Sequence, residues 1–136
     1  MITSESTIVV RYSETDMMGI VYHANYLPWL EIGRTQLLKE HGFPYKELEA
    51  QGLLLPVIEI NLKYRRAATY DDTITIKTII KEKPYVKIHL EYEVLKDEEL
   101  IATGYSVHAF MNKSGQPIKA PRHFIEALNQ AFANEI

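Results

Sequence analysis

The sequence predicts an α+β domain in which one long helix lies across an antiparallel β-sheet. Three observations lead to this fold class. One long stretch carries apolar residues at three- and four-residue steps, which is the spacing of a helix with one buried face. The stretches after it are β-branched or alternate apolar and polar residues, as β-strands do. Short polar turns join these strands, and short turns favour antiparallel pairing.

The first elements are a strand and a helix separated by a loop. The strand is predicted at residues 8–12, where β-branched residues cluster, and the loop at residues 13–22. Pro28 is tolerated only in the first turn of a helix, so the long helix should begin between residues 24 and 27. Gly42 should end this helix, because glycine readily adopts the left-handed conformation of a helix cap.

The second half of the chain is predicted to form a meander of antiparallel strands followed by a helix. After one or two helical turns at residues 44–51, strands are expected at residues 56–65, 73–81, 85–95 and 100–111. Pro121 should open the last helix, with Phe124, Leu128 and Phe132 on its buried side.

The predicted sheet leaves one face and two edges uncovered. Besides its charges, that face carries Tyr85, Leu95 and Phe110. Open sheet edges expose unpaired backbone groups, which natural proteins protect. Pairing with a second copy of the chain would cover both features, so the sequence predicts a homo-oligomer.

Length, composition and charge exclude several classes of protein. The chain has 136 residues, the length of a single domain spanning 1–136. The absence of cysteine excludes disulfides, thiolate catalysis and cysteine-ligated metals, and a net charge of −3 argues against a general nucleic-acid binder. No apolar run approaches the ~20 residues of a membrane span, and residues 1–6 lack the features of a signal peptide. We therefore expect a cytoplasmic protein that does not span a membrane.

The densest cluster of reactive side chains lies between residues 12 and 26. Within it, Asp16 precedes a predicted helix N-terminus, whose free N–H groups could stabilise a carbonyl oxygen that gains negative charge. A carboxylate beside such donors could act as nucleophile or general base. Taken alone, however, Asp16 to Gly19 is typical of a type I turn, and a residue such as His23 is more often a capping or packing residue.

Residues 16–26 read Asp-Met-Met-Gly-Ile-Val-Tyr-His-Ala-Asn-Tyr. This segment resembles the signature Asp-x-x-Gly-x-Val-x-His-x-Asn-Tyr of hotdog-fold acyl-CoA thioesterases, specifically the 4-hydroxybenzoyl-CoA thioesterase family and its Tol–Pal-associated relatives. The resemblance continues through Glu31 to Arg34, residues 67–72 and residues 112–121. It implies a hotdog fold, in which an antiparallel sheet wraps around one long helix, with the C-terminal helix outside this minimal pattern.

The resemblance also implies an activity and a site. The activity is hydrolysis of acyl-CoA thioesters, without a cofactor other than the coenzyme A of the substrate. The catalytic carboxylate falls on Asp16, and the N–H that polarises the thioester carbonyl falls near His23, whose side chain matches a histidine with a suspected polar or acid–base role. Tyr22, Asn25 and Tyr26 fall on positions that shape the substrate site. Dimers, and further assembly to a homotetramer, are expected.

Glu31 is a second candidate acid, because other hotdog thioesterases use a carboxylate on the helix. Arg34 follows three residues later, which favours a plain ion pair on the helix surface. Four basic residues are candidates for holding the phosphates of coenzyme A, although solvated strand edges commonly carry such charges. They are Lys63, Arg65, Lys83 and Lys87. The histidines lack the paired spacing of a zinc site, so no metal is predicted.

Two other functions stay open at this point. One is a hotdog-fold hydratase or dehydratase acting on an enoyl or hydroxyacyl thioester, and the other is a non-catalytic module that binds acyl thioesters. The sequence does not define the acyl group, nor does it distinguish coenzyme A from acyl carrier protein as its donor.

Overall fold

The computed structural model describes residues 1–134. These residues form one five-stranded antiparallel sheet, three α-helices and two short 3-10 turns. The strands are β1 (Ile2–Val9), β2 (Val57–Tyr64), β3 (Thr73–Ile80), β4 (Lys87–Lys96) and β5 (Glu99–Ala109). The helices are α1 (Tyr26–Glu40), α2 (Tyr45–Ala50) and α3 (Arg122–Ala133), and the 3-10 turns cover Tyr12–Glu14 and His23–Asn25.

The strand order across the sheet is β1-β3-β4-β5-β2. The predicted meander is therefore wrong at one connection, because β2 and β3 are not neighbours. β2 pairs with β5 and forms an edge, while β3 lies between β1 and β4. Residues 65–72 cross the end of the sheet between them, and eight residues of extended chain suffice to pass the two intervening strands. This crossing segment places residues 67–69 beside the loop that precedes α1.

Helix α1 packs across β1 and β3, and the apolar stripe predicted from its sequence is buried. Gly33 faces the sheet at the point of closest approach. A Cβ atom there would clash with the Thr78 hydroxyl and lie 2.9 Å from Cγ2 of Ile76. Glycine at this position therefore allows the helix to rest directly on β3.

Helix α3 packs on Phe110, the residue that follows β5. The ring of Phe124 contacts Phe43 and Phe110, with centroids 4.8 and 5.0 Å apart. Phe110 is only 1% exposed, so the prediction that it lies on the uncovered face is wrong. The reason is that the chain returns after β5 and lays its last helix over that residue.

The first strand begins earlier than predicted, at Ile2 instead of residue 8, and it pairs with β3 along its whole length. Its buried face includes Ser4 as well as Ile2, so apolar alternation does not mark it in the sequence. Within residues 1–134, no helix is long and apolar enough to cross a membrane.

Candidate active site

The loop between β1 and α1 is a closed turn held at both ends. The N–H of Asp16 donates to the carbonyl of Ile20 at 2.9 Å, and the N–H of Gly19 donates to the carbonyl of Asp16 at 3.0 Å. Gly19 has a φ of +80°, a conformation that other residues adopt with strain. The loop is then tied to the crossing segment, because the N–H of Val21 donates to the carbonyl of Ala68 at 2.8 Å.

Asp16 is partly buried, and its carboxylate is positioned by the turn itself. Oδ1 accepts a hydrogen bond from the N–H of Met18 at 2.8 Å. This bond fixes the side-chain orientation and still leaves lone pairs on the carboxylate for a reacting partner. Asp16 therefore forms the turn expected from its sequence and also lines a cleft of about 300 Å³.

A short helical turn on the other side of this cleft begins at His23. The 3-10 turn His23–Asn25 leads directly into α1. The first N–H groups of a helix have no acceptor within it, and among residues 1–134 the N–H groups of His23 and Ala24 donate to no backbone carbonyl. The His23 side chain is exposed, and its ring lies 4.4 Å from that of Tyr22 and 6.4 Å from that of Tyr64.

Two tyrosines, Tyr26 and Tyr64, form part of the wall of the cleft. The Tyr64 hydroxyl donates to the carbonyl of His23 at 2.8 Å, which ties the end of β2 to the helical turn. The rings of Tyr26 and Tyr64 meet edge to face with centroids 5.0 Å apart. Burial raises the pKa of Tyr26, so its hydroxyl is a neutral hydrogen-bonding group at neutral pH.

Glu14, which the sequence interpretation did not single out, holds these parts together. Its carboxylate accepts from the N–H of Arg11 and from the indole N–H of Trp29, both at 2.8 Å. Its carbonyl accepts from the Tyr22 N–H at 2.9 Å and from Nδ2 of Asn25 at 2.8 Å. Burial raises the pKa of Glu14, but the hydrogen bonds from Arg11 and Trp29 outweigh it, and the net pKa lies below the usual value.

Only some of the remaining predicted site residues lie in or beside the Asp16 cleft. Arg65 lines the cleft with Asp16 and His23, next to Arg66, which forms an ion pair with Glu99 at 3.0 Å. Asn25 acts through Glu14, as described above, and Tyr22 is exposed beside His23. Lys63 lies elsewhere, in a groove on the sheet with Lys77 and Tyr105.

Two candidate lysines lie at the far end of the sheet. Lys83 lies in the connection between β3 and β4, and Lys87 is the first residue of β4. The cleft adjoins the other end of these strands, because Asp72, just before β3, bonds to Val10 near the loop. β3 spans eight residues, or about 25 Å, so one chain does not bring these lysines to Asp16.

Glu31 does not line the Asp16 cleft. It is exposed on a second cavity, which Arg34 and Tyr45 also line. The predicted ion pair between Glu31 and Arg34 is wrong, since no ion pair of Arg34 exists among residues 1–134. Arg34 instead points inward, where its Nε donates to the Tyr45 hydroxyl at 3.2 Å. Within the same residues, no three His, Asp or Glu side chains cluster as a metal site requires.

Comparison with known proteins identifies the family. The family model described as the Thioesterase-like superfamily matches residues 10–128. The chain belongs to this superfamily. A Bacillus subtilis (strain 168) relative named "Putative acyl-CoA thioesterase YneP" is 42% identical over 123 residues, which cover 89% of each protein. The 4-hydroxybenzoyl-CoA thioesterase of Pseudomonas sp. (strain CBS-3) is 27% identical over 128 residues, 86% of this chain and 91% of that protein.

Solved structures agree with this assignment to the thioesterase-like superfamily. The DHNA-CoA thioesterase from Staphylococcus aureus superposes with a TM-score of 0.92 at 31% identity, covering 98% of this chain and 93% of that chain. The predicted hotdog fold and the predicted membership of a thioesterase family are therefore confirmed. Among the residues that sequence reasoning missed, Glu14 and Tyr64 contribute most to the geometry.

Proposed function

We propose that the protein hydrolyses acyl-CoA thioesters to a carboxylic acid and free coenzyme A, with Asp16 as the catalytic carboxylate. The observation that carries this proposal is the shared cleft of Asp16 and the helical turn at His23, in a chain of the thioesterase-like superfamily. The names of its relatives support the substrate class. Since water is the only other reactant, the proposed reaction uses no cofactor.

Two routes are compatible with the position of Asp16. In the first, a carboxylate oxygen attacks the thioester carbonyl carbon, the C–S bond breaks with departure of the thiolate, and water then hydrolyses the mixed anhydride. In the second, the carboxylate takes a proton from a water molecule whose oxygen attacks the same carbon. Both routes place negative charge on the carbonyl oxygen, and the N–H groups of His23 and Ala24 would stabilise it. The His23 side chain is available to assist as a polar or acid–base group.

The substrate would enter along the exposed side of the cleft. Arg65 lies there without an ion-pair partner among residues 1–134, so its guanidinium can bind a phosphate of coenzyme A. Tyr22, Tyr26 and Asn25 are proposed to shape the site around the thioester, the last by holding the loop. Glu31, Lys63, Lys83 and Lys87 would contribute only through another copy of the chain or along an extended substrate.

A homodimer formed through β2 would bring some of these residues closer. β2 is paired on one side only, and its side chains Ile58 and Ile60 are 51% and 42% exposed. Antiparallel pairing with the β2 of a second copy would hide these residues and satisfy the open edge. It would also place the end of one sheet that carries Lys83 and Lys87 on the same side as the Asp16 cleft of the second copy. Assembly of such dimers to a tetramer, and the cytoplasmic location expected above, are further parts of the proposal.

Thiol release tests this function against the alternatives. The purified protein is mixed with acetyl-, hexanoyl-, palmitoyl- and benzoyl-CoA, and free thiol is measured colorimetrically while enoyl absorbance is followed with crotonyl-CoA. A hydrolase releases thiol from at least one acyl-CoA, and the same panel defines the preferred acyl group. A hydratase changes the enoyl absorbance without releasing thiol, and a binding module does neither. Either of the last two results would contradict the proposal.

A further inference from the structure

The second cavity contains a buried cation that no carboxylate neutralises. Arg34 is 9% exposed and lines this cavity of about 380 Å³ together with Tyr45, Leu55 and Val57. Within residues 1–134 no carboxylate lies within ion-pair distance of its guanidinium. A buried guanidinium is costly unless an anion or several hydrogen bonds compensate it. Arg34 has hydrogen bonds to neutral groups but no anion beside it in the described part of the chain, so the adjoining cavity is a place where an anionic group would be stabilised.

The groups that contact Arg34 are neutral and do not balance its positive charge. The hydroxyls of Tyr45 and Tyr92 both bond to the guanidinium. Burial raises the pKa of both phenols, so they are neutral at neutral pH and cannot act as counter-ions. The next member of this buried network is Ser106, which bonds to Tyr92 at 2.6 Å and to His108 at 2.7 Å.

The positive charge of Arg34 also affects the buried imidazole of His108. Burial and then the charge of Arg34 lower the pKa of its imidazole to about 4, so His108 is neutral at neutral pH. A guanidinium has five N–H donors, and bonds to two phenols leave others available to a ligand. Glu31 and Glu49 also line the cavity, but both are exposed, so solvent screens them more than it screens Arg34.

The rest of the lining is apolar. Leu48, Leu53, Leu54, Pro56 and Met111 complete the wall of the cavity. Such a lining around one buried cation is complementary to a molecule with a hydrocarbon body and one anionic end. We propose that this cavity binds an organic carboxylate with an apolar body, its carboxylate on Arg34 and Tyr45.

Two molecules could present this chemistry. One is a free carboxylic acid, the class of product that the proposed function releases, acting as an inhibitor or effector. The other is the far end of an acyl group that carries a second carboxylate. The second source rests on the proposed function and on pairing through β2, which would set the cavity of one copy beside the Asp16 cleft of the other.

Calorimetric titration tests the site without relying on activity. Octanoate and 1-octanol are titrated into the wild-type protein, and octanoate is expected to bind at least about 10-fold more tightly, because a charge-assisted hydrogen bond replaces a neutral one. The Arg34→Met variant should lose this preference. The Lys39→Met variant, which removes an exposed cation from the same helix, should keep it. Equal binding of the two compounds by the wild-type protein, or no octanoate binding at millimolar concentration, would overturn the proposal even if Arg34→Met failed to fold.

Kinetics distinguish the two sources. The ratio of kcat/KM for adipoyl-CoA to that for hexanoyl-CoA is compared between the wild type and Arg34→Met. If the ratio is about 10-fold lower in Arg34→Met than in the wild type, the occupant of the cavity is the carboxylate end of the acyl group. If the ratio is unchanged but octanoate binding still depends on Arg34, the occupant is a free carboxylic acid. If the wild type hydrolysed neither adipoyl-CoA nor any acyl-CoA of the panel, the proposed function would fail while the calorimetric result still decided the site.

Discussion

Glu14 connects three parts of the candidate site with four hydrogen bonds. Its carboxylate binds the chain at Arg11 and the indole of Trp29 on α1, while its carbonyl binds Tyr22 and Asn25. The loop carrying Asp16 is thereby fixed relative to the helical turn at His23. We regard Glu14 as a positioning residue, because it acts through its neighbours and does not line the cleft.

Replacing Glu14 should change stability in a pH-dependent way. Its pKa in the folded chain lies below the ordinary 4.5, so its stabilising effect is complete above pH 4.5 and is lost as pH falls through the folded value. Urea unfolding at pH 7 should show Glu14→Gln to be less stable than wild type by about 1–3 kcal/mol, with a smaller difference at acid pH.

Glu82→Gln is the control for this measurement, because Glu82 is exposed in a turn. It should change stability little at either pH. A Glu14→Gln deficit that stays constant between pH 7 and pH 3 would show that the ionised carboxylate is not what stabilises the loop.

Arg65 and Arg66 both line the Asp16 cleft, and Arg66 is paired with Glu99. If Arg65 holds a phosphate of coenzyme A, Arg65→Gln should raise KM for an acyl-CoA about 3- to 10-fold and leave kcat nearly unchanged, because it removes binding common to ground and transition states. Steady-state kinetics with the matched acyl-pantetheine, which lacks the nucleotide, provide the control. An equal rise in KM for both substrates would assign Arg65 a different role.

At the scale of single residues, the sequence predicted the turn that carries Asp16 but not which charged side chains are buried around it. The spacing of Asp16 and Gly19 predicted the turn before α1, and the resemblance of residues 16–26 to a thioesterase signature predicted a catalytic role for Asp16. Nothing in the sequence indicated that Glu14 is buried or that Arg34 turns inward, because burial of a charge depends on partners distant in the chain. Glu14 accepts a hydrogen bond from Trp29, fifteen residues away in the chain, and Arg34 bonds to Tyr92 on the sheet.

The contact between α1 and the sheet depends on the absence of a side chain at Gly33. Alanine is intrinsically about 1 kcal/mol better than glycine within a helix, but here its Cβ would press on Thr78 and Ile76. Gly33→Ala should therefore destabilise the protein by about 1–3 kcal/mol, the usual cost of overpacking, as measured by denaturant unfolding.

A double variant separates steric overlap from other effects of Gly33→Ala. Thr78→Ala removes a buried hydroxyl that has no hydrogen-bond partner in the described chain and leaves space for the new methyl group. The double variant should recover part of the lost stability, giving a coupling free energy of about 1 kcal/mol. Strict additivity would contradict the assigned clash.

The element boundaries show where local patterns suffice and where they do not. The apolar stripe and Pro28 placed the start of α1 correctly, because both act within the helix. β1 was predicted too short because polar residues such as Ser4 occupy its buried face. The position of β2 at the sheet edge was missed because strand order depends on a crossing segment whose path is set by bonds to the loop, not by its own composition.

For the whole molecule, the proposed pairing through the exposed edge of β2 predicts the oligomeric state. A charge on an edge strand discourages pairing, so Ile60→Lys should convert a dimer to monomers. Val86→Lys, at a residue 49% exposed outside β2, is the matched control and should leave the assembly unchanged. Sedimentation velocity at micromolar concentration measures both. A wild-type protein that sediments as a monomer would contradict pairing through β2.

The proposed activity depends on the reaction of Asp16 with a thioester carbonyl. The most direct measurement is the turnover of Asp16→Asn on the best acyl-CoA of the panel, beside Asp97→Asn as control. Asp97 is exposed in the β4–β5 turn with a φ of +49°, a conformation that asparagine tolerates. Asp16→Asn should lower kcat about 100-fold or more while its circular dichroism and melting temperature match the wild type, and Asp97→Asn should turn over normally. Near-normal turnover by a folded Asp16→Asn enzyme would contradict the account.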